Sequence, residues 1–279
     1  MQQGYRADTA KVKDMRLHSQ EGYAFFILFL TLSFEYAKYI QYILVLTSAE
    51  CLMTNSPHTG QCLADVAYAH MARRIVFMDY APGQRLEEKQ LMHDLQLGRT
   101  PIREALMRLS ADMMVESRPK SGYFVRPITL QSIRSVFEAL YLLEGGLAEL
   151  AVKHDCSREI ERMHLANTQM KNEVQNNNIR GLVETNEEFH AYLAQCTRNE
   201  YLTQAISRVR TEIKRLAFLS FSQDIDSENT LHAHYQCVLQ EHDQMLQALR
   251  TRDVEALNAL LTTHIHTFQK RILRSMMSY

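Results

Sequence analysis

Apolar residues recur at helical spacing through most of the chain after residue 60. In the segment 62–78 they are Val66, Ala69 and Ile75, and in the segment 100–113 they are Ile102, Leu106, Leu109 and Met113. Such spacing is typical of helices that bury one face. A shorter helix, at about 87–95, lies between these two segments. We therefore predict three helices between residues 62 and 113.

The boundaries of these helices carry local signals. Pro82 and Gly83 place a turn between the first and second helices. Thr100-Pro101 predicts the start of the third helix, with threonine as the N-cap and proline as the first helical residue. Residues 115–125 alternate around a tip at 120–122, as in a β-hairpin. Helix, helix, turn, helix and hairpin is the order of a winged helix-turn-helix.

The remainder of the chain has no strand pattern. We predict six helices there, at about 130–154, 157–176, 179–196, 200–221, 228–250 and 254–276, and Asp253 is the expected N-cap of the last. The predicted fold class is mainly α. A winged helix-turn-helix (three helices plus a β-hairpin wing) at 60–127 is followed by an all-α helical bundle, a sensor domain, at 128–279.

Residues 1–59 form an N-terminal extension with an unusual apolar run at 23–47. The run is long enough to span a bilayer, but Glu35 and Lys38 lie in its middle, where each costs a few kcal/mol. Three interpretations stay open: translation in the cell starts at Met53, the extension is a helical arm, or it is a membrane anchor. The charges make a membrane partner the least expected of these.

Composition narrows the function classes. The net charge is -1, so nucleic-acid binding has to come from local charge. Residues 60–127 carry 10 Lys/Arg against 8 Asp/Glu, whereas residues 128–279 carry 16 against 19. The five cysteines (51, 62, 156, 196 and 237) are widely spaced and form no CxxC motif. This pattern argues against a disulfide framework or a cysteine zinc site and favours the cytoplasm.

The third helix is the expected DNA-reading element. Its opening residues Arg99, Thr100 and Arg103 would enter the major groove, where arginine suits guanine edges and phosphates. A helix N-terminus also favours phosphate. Specific reading of a near-palindromic double-stranded operator requires two such helices, which predicts a homodimer. Apolar residues along Leu130–Leu150 are candidates for part of its interface.

Three histidines in the second half are expected to converge. Asn186 and His190 are four residues apart on one predicted helix and share a face. His242 and His264 are equidistant from the turn at 253, so they should face each other across an antiparallel helix pair. Three imidazoles and one amide oxygen inside a bundle would make a divalent metal site.

The segments Pro82–Leu86, Gly98–Leu109 and Arg118–Val125 closely resemble the DNA-binding domain of the GntR family of transcription regulators, and RTPIREALMRL is the most diagnostic run. The resemblance implies DNA contacts from the start of the recognition helix, the second helix and the wing. The matching positions are Lys89, Gly98, Arg99, Thr100, Arg103, Lys120, Ser121 and Gly122. The family usually has a hydroxyl residue where Gly98 stands.

The second half resembles the all-helical (FCD-type) effector domain of the FadR-like GntR branch, through Asn186–His190, Glu241-His242 and His264. The family usually has Asp where Asn186 stands. Because Asn is neutral, we expect Zn²⁺ or Ni²⁺ rather than Mg²⁺. Many relatives have Arg where Leu140 stands. Other positively charged side chains are therefore expected to bind the effector, and the candidates are Arg208, Arg210 and Arg215.

Together these features predict a DNA-binding transcription regulator controlled by a small-molecule effector, and not an enzyme. The sequence has no phosphate loop, dinucleotide fingerprint or nucleophile elbow. One alternative is a metal-dependent hydrolase-like helical protein, with Glu187 as the only obvious general base beside the metal. The other is a membrane-tethered regulator that uses residues 23–47.

Overall fold

The computed structural model describes residues 62–222 and 228–277, and the predictions for the extension 1–59 lie outside them. The described part is mainly helical, as predicted. Its helices are α1 (Leu63–Val76), α2 (Glu88–Leu95), α3 (Arg99–Ala111), α4 (Leu130–Ala151), α5 (Ser157–Gln175), α6 (Ile179–Gln195), α7 (Glu200–Ser222), α8 (Glu228–Thr251) and α9 (Val254–Met277). No helix within these ranges is long and apolar enough to cross a membrane.

A small antiparallel sheet accompanies the first three helices. Its strands are β1 (Arg85–Leu86), β2 (Val115–Arg118) and β3 (Gly122–Val125), in the order β1-β3-β2. β2 and β3 form the predicted hairpin, in which Val115 is paired with Val125. β1 was not predicted, because two residues are too few to show alternation; it pairs with β3 and ties the turn after α1 to the wing.

The recognition helix α3 begins two residues before its predicted start. Gly98 is the N-cap, and Arg99 is the first helical residue. Thr100 therefore lies inside the first turn and does not cap the helix. Pro101 is tolerated at the third helical position, because the N–H groups of the first turn have no intrahelical acceptor.

The buried faces of α1 and α3 differ partly from the predicted ones. α1 buries Ala64, Ala67, Met71 and Ile75, whereas Val66 is 41% exposed. α3 buries Ile102, Leu106 and Leu109 as expected. Met113 lies after the helix end in a left-handed conformation (φ 61°) and is 61% exposed, so Met114 enters the core in its place.

Side-chain caps begin the sensor helices α4 and α9. The Thr129 side chain accepts from the Ser132 N–H, and the Ser132 hydroxyl accepts from the Thr129 N–H, a reciprocal capping box at the start of α4. Asp253 Oδ1 accepts from the Ala256 N–H at 2.9 Å, the cap predicted for α9. These caps satisfy N–H groups that a helix leaves free at its start.

The described residues belong to one compact unit. α5 packs on α6 and α8, α6 on α7, and α9 on α4 and α8. α1 packs on α7, so the DNA-reading module rests directly on a sensor helix. One hydrophobic cluster contains Phe77 of the module together with Ala217 and Phe221 of α7. α7 therefore belongs to the cores of both halves.

Candidate DNA interface, metal centre and effector pocket

Four of the predicted DNA-contacting residues line one concave surface. Lys89 of α2, Arg99 and Arg103 of α3, and Gly122 of the wing surround it. Gly98 and Thr100 are exposed at the start of α3, and Lys120 and Ser121 are exposed at the wing tip. The tip requires left-handed backbone, with φ 62° at Lys120 and 93° at Gly122, and glycine adopts it without steric cost.

A carboxylate of α2 holds the two arginines of the recognition helix. Glu88 Oε2 lies 3.2 Å from Arg99 Nε and 3.0 Å from Arg103 Nε. Partial burial of Glu88 raises its pKa, but hydrogen bonds from Arg103 and Arg99 outweigh this and lower the pKa below its usual value. The arginines are thus positioned side by side, with part of their charge neutralised. Sequence reasoning did not find this role of Glu88, because it depends on how α2 packs against α3.

His190, His242 and His264 converge inside the helical bundle, as their spacing predicts. One potential ligand atom from each lies within 4.8 Å of the other two. His190 Nε2 and His264 Nε2 are 3.2 Å apart, and the ring centroids of His242 and His264 are 5.2 Å apart. Three imidazoles at this spacing can bind one divalent ion.

Neighbouring acceptors orient two of these rings. Glu241 Oε2 accepts from His264 Nδ1 at 2.6 Å, and Asn167 Oδ1 accepts from His242 Nδ1 at 3.1 Å. Each Nδ1–H is thereby occupied, and the Nε2 lone pair points away from it toward the cluster. Acceptors on the far ring nitrogen are the usual companions of metal-binding histidines.

The buried atoms of the cluster also fit a metal ion. Among the described residues, His242 Nε2, the ring nitrogen opposite the one bound to Asn167, is a buried polar atom without a hydrogen-bond partner. Burial, followed by the nearby Arg210 charge, lowers the pKa of His190 well below its usual value, and burial likewise lowers the pKa of His242. Both imidazoles are therefore neutral at pH 7, the form that donates a lone pair to a metal.

A pocket of about 50 Å³ opens beside the histidine cluster. His264 lines it together with Asn186, the fourth predicted ligand, and with Glu187 and Glu241. Leu140, noted in the sequence as a departure from Arg, is a buried part of its wall. A ligand in this pocket would reach the histidine cluster from one side.

The structure brings one of the three predicted effector-binding arginines to this pocket. Arg210 lines it and is buried. Arg208 is directed elsewhere, where its Nε lies 3.3 Å from Asp112 Oδ1 of the DNA-reading module. Arg215 is fully buried, and its Nη2 donates to the Arg126 carbonyl at 2.7 Å. Arg208 and Arg215 are seven residues apart and lie on one side of α7, whereas Arg210 lies on the opposite side, so the three arginines cannot all line one pocket.

Three further residues of the pocket region were missed from the sequence. Glu144 of α4 is buried and pairs with Arg210, with Nε and Oε1 2.8 Å apart. Tyr235 and His234 line the pocket from α8. No local signal marks Glu144 or Tyr235, since one is an ordinary helix glutamate and the other an ordinary apolar-face tyrosine.

The pocket and the DNA-reading module meet at α7. Phe218 packs edge-on against Phe77 of the module, with ring centroids 5.1 Å apart. Arg180 of α6 lies 5.1 Å above the Phe77 ring and pairs with Asp79 at 2.8 Å. Ala217 and Phe221, adjacent on the same helix, line the pocket. A shift of α7 caused by a bound ligand would reach Phe77 directly.

The fold and these sites define a DNA-binding regulator with a helical sensor domain, and comparison with known proteins agrees. The family model for bacterial regulatory proteins of the gntR family matches residues 63–125, and the FCD domain model matches residues 135–267. The chain belongs to the GntR family of transcriptional regulators and carries an FCD effector-binding domain. It is thus a regulator and not an enzyme. Regulators of this family bind DNA operators and small-molecule effectors, and FCD domains often bind metals.

Individual relatives are distant in sequence, but the similarity extends over most of their length. The chain is 22% identical over 205 residues to the HTH-type transcriptional repressor RspR of Escherichia coli (strain K12), covering 74% of this chain and 86% of that protein. It is 25% identical over 196 residues to the Nta operon transcriptional regulator of Aminobacter aminovorans, covering 70% and 87%. The solved structure of E. coli McbR/YncC has the same fold, with a TM-score of 0.67 and 18% identity over 79% of this chain and all of that one.

Proposed function

We propose that this regulator reads a near-palindromic operator as a homodimer, and that an effector bound beside a metal centre controls the reading. The convergence of His190, His242 and His264 next to a pocket is the observation that carries the proposal. The imidazoles would hold a divalent ion, with Asn186 as the fourth ligand through its amide oxygen. Imidazole ligands and the neutral amide favour Zn²⁺ or Ni²⁺.

On the DNA side, Arg99 and Arg103 would read base edges, supported by Gly98 and Thr100 at the helix start. Lys89 and the wing residues Lys120, Ser121 and Gly122 would bind the phosphate backbone. This assignment is supported by the concave surface that α2, α3 and the wing share. Glu88 would keep the arginine side chains extended toward the groove.

A bound ion would supply Lewis acidity that draws an effector oxygen into the pocket. The protein's own part is to orient the rings through Glu241 and Asn167 and to exclude water with its apolar wall. The effector would favour one packing of α7 over another, and the contact of Phe218 with Phe77 would transmit the difference to the DNA-reading module. Such a shift requires that the effector bind the two packings with different affinity.

Two measurements test the proposal. An operator is first selected from a random-sequence library with the full chain. In a gel shift, Arg99→Ala should then reduce the free energy of specific binding by about 1–3 kcal/mol. Lys120→Ala should instead weaken binding to all DNA sequences alike, and it should reduce the slope of log affinity against log salt concentration by about one. Equal operator affinity of Arg99→Ala and wild type would refute the recognition-helix assignment.

The second measurement is calorimetric titration of metal-stripped protein with Zn²⁺. Wild type should bind one ion per chain, and His242→Ala should bind much more weakly while retaining DNA binding. His154→Ala is the control, since His154 lies outside the cluster and is exposed in the loop after α4. Absence of zinc uptake by the wild type would refute the metal centre and leave the DNA assignment standing.

A further inference from the structure

Helix α7 contacts the effector pocket with one side and the DNA-reading module with the other. Arg210 lines the pocket, whereas Arg208 and Arg215 lie on the opposite side of the helix and do not line it. Arg208 contacts the module itself, and Arg215 contacts the linker that leads out of it. The pocket does not account for these two contacts, so this side of α7 requires an explanation of its own.

Arg215 holds the linker between the wing and the sensor domain. Residues 126–129 are the whole connection between β3 and α4, and the Arg126 carbonyl accepts from Arg215 Nη2 at 2.7 Å. The linker is also held from the module side, because the Arg126 N–H donates to the Met114 carbonyl at 3.0 Å. A short linker that is held from both sides leaves the module little freedom to rotate about its connection.

A buried arginine is an unusual choice for position 215. Its side chain is 1% exposed, its Nε has no hydrogen-bond partner among the described residues, and its carboxylate partner Glu212 lies 3.4 Å away. An apolar side chain of similar volume would fill the same space without the desolvation of a guanidinium. Packing alone therefore does not account for this arginine, whereas a specific contact with the linker does.

Arg208 holds the C-terminal end of the recognition helix. Asp112 is the C-cap of α3, and its Oδ1 lies 3.3 Å from Arg208 Nε. Its Oδ2 accepts from the Tyr68 hydroxyl of α1 at 2.8 Å. A carboxylate is unfavourable at the negative end of a helix dipole, so Asp112 depends on these two partners. The residue thereby joins α1, α3 and the sensor helix α7 at one point.

The apolar contact between the two halves does not by itself fix their orientation. Phe77 and Phe218 pack edge-on at its centre, and the attraction between apolar surfaces is non-directional. Charged and hydrogen-bonding groups determine the register of an interface, because they have partners in only one arrangement. Arg208 and Arg215 supply such contacts, one at the recognition helix and one at the linker.

We propose that Arg208 and Arg215 are positioning residues that fix the angle of the DNA-reading module on the sensor domain, and thereby determine which half-site spacing the dimer prefers. The proposal rests on the homodimer proposed above and deepens its reading of the operator. In a dimer, the distance and rotation between the two recognition helices depend on how each sensor domain holds its module, and half-site spacing follows from that geometry. Neither arginine belongs to the concave surface that would face DNA.

The test varies the spacing between the two half-sites of the operator selected with the full chain. The spacer is lengthened and shortened one base pair at a time, and fluorescence anisotropy measures the affinity for each duplex. Wild type should prefer one spacing over its neighbours by at least about tenfold. A duplex with a single half-site, measured at low salt, reports the recognition surface alone, so every variant should bind it as wild type does.

The decisive variants reverse charges in the pair of Arg208 with Asp112. Arg208→Glu replaces attraction with repulsion, so the spacing preference should fall below about threefold. Arg208→Glu combined with Asp112→Arg reverses the pair and should restore the preference, and an arginine also suits the C-terminal end of a helix. A merely structural role of Arg208 would not show this rescue. Arg162→Gln is the matched control and should keep the preference, because Arg162 is exposed and contacts Tyr192 inside the sensor domain.

Arg215→Met tests the linker contact, because it removes the guanidinium and keeps an unbranched side chain. The spacing preference should again fall below about threefold. Arg208 is 55% exposed, so its substitution leaves the core intact. The Arg208 series therefore decides the proposal even if Arg215→Met fails to fold.

The proposal is overturned if wild type binds all spacings equally, or if Arg208→Glu or folded Arg215→Met keeps the wild-type preference. It is also overturned if the reversed pair does not restore the preference. In each case, unchanged binding of the single half-site leaves the DNA assignment of the proposed function standing. A strict monomer in sedimentation would instead refute the homodimer, and the spacing proposal with it.

Discussion

Removing one partner of the buried ion pair between Glu144 and Arg210 should strongly destabilise the sensor domain. Their side chains are 1% and 3% exposed, and Arg210 Nε lies 2.8 Å from Glu144 Oε1. Glu144→Gln keeps the shape and removes the charge. Within the described residues, the guanidinium would then retain Glu187 as its carboxylate partner, with Arg210 Nη1 and Glu187 Oε2 4.0 Å apart.

Breaking a buried pair by removing one partner leaves a charge without compensation and costs about 3–5 kcal/mol. For a folded unit of this size, such a loss lowers the melting temperature by roughly 6–20 °C. Replacing both partners with apolar residues avoids the uncompensated charge. Glu144→Leu combined with Arg210→Met should therefore recover most of the loss.

The chain offers a matched control on the same helix. Glu138 accepts from Arg134 Nε at the same distance of 2.8 Å, but these side chains are 58% and 73% exposed. Glu138→Gln should leave the melting temperature nearly unchanged, because solvent screens the pair. Thermal and urea unfolding followed by circular dichroism, on metal-free protein, compares the variants. If Glu144→Gln lowered the free energy of unfolding by less than about 1 kcal/mol, the reasoning would be refuted, because burial of the pair would then not determine how much its removal destabilises the protein.

Three further outcomes follow from the geometry. Asn186→Asp should tighten Zn²⁺ binding in calorimetry by adding a negative ligand; an unchanged affinity would remove residue 186 from the ligand set. Arginine hydrogen bonds keep the folded pKa of Glu88 below its unfolded value despite partial burial, so its stabilisation is present above the unfolded pKa and is lost as pH falls through the folded pKa. Acid unfolding of Glu88→Gln should accordingly be less steep than that of wild type, and identical curves would contradict this. Leu142 is 81% exposed on α4, the proposed dimer face, and Leu142→Asp should convert a dimer to a monomer in sedimentation; a persistent dimer would place the interface elsewhere.

Local signals were sufficient to predict most of the helices. The last helix was predicted at 254–276 and extends over Val254–Met277. The Asp253 cap and the apolar period involve only residues that are close together in the sequence, so both signals can be recognised without the tertiary structure. The meeting of His242 and His264 was also predictable, since equal distance from one turn places two residues side by side in an antiparallel helix pair.

The tertiary structure decided which groups became buried and which partners they found. The sequence does not distinguish the three arginines of α7. In the structure, Arg210 lines the pocket, Arg208 pairs with the DNA-reading module and Arg215 is buried in the core. Glu144 of α4 gains its role from Arg210 of α7, which is 66 residues away along the chain. The periodicity of a helix determines which residues share a face, but only packing against distant elements determines which face is buried and what it contacts.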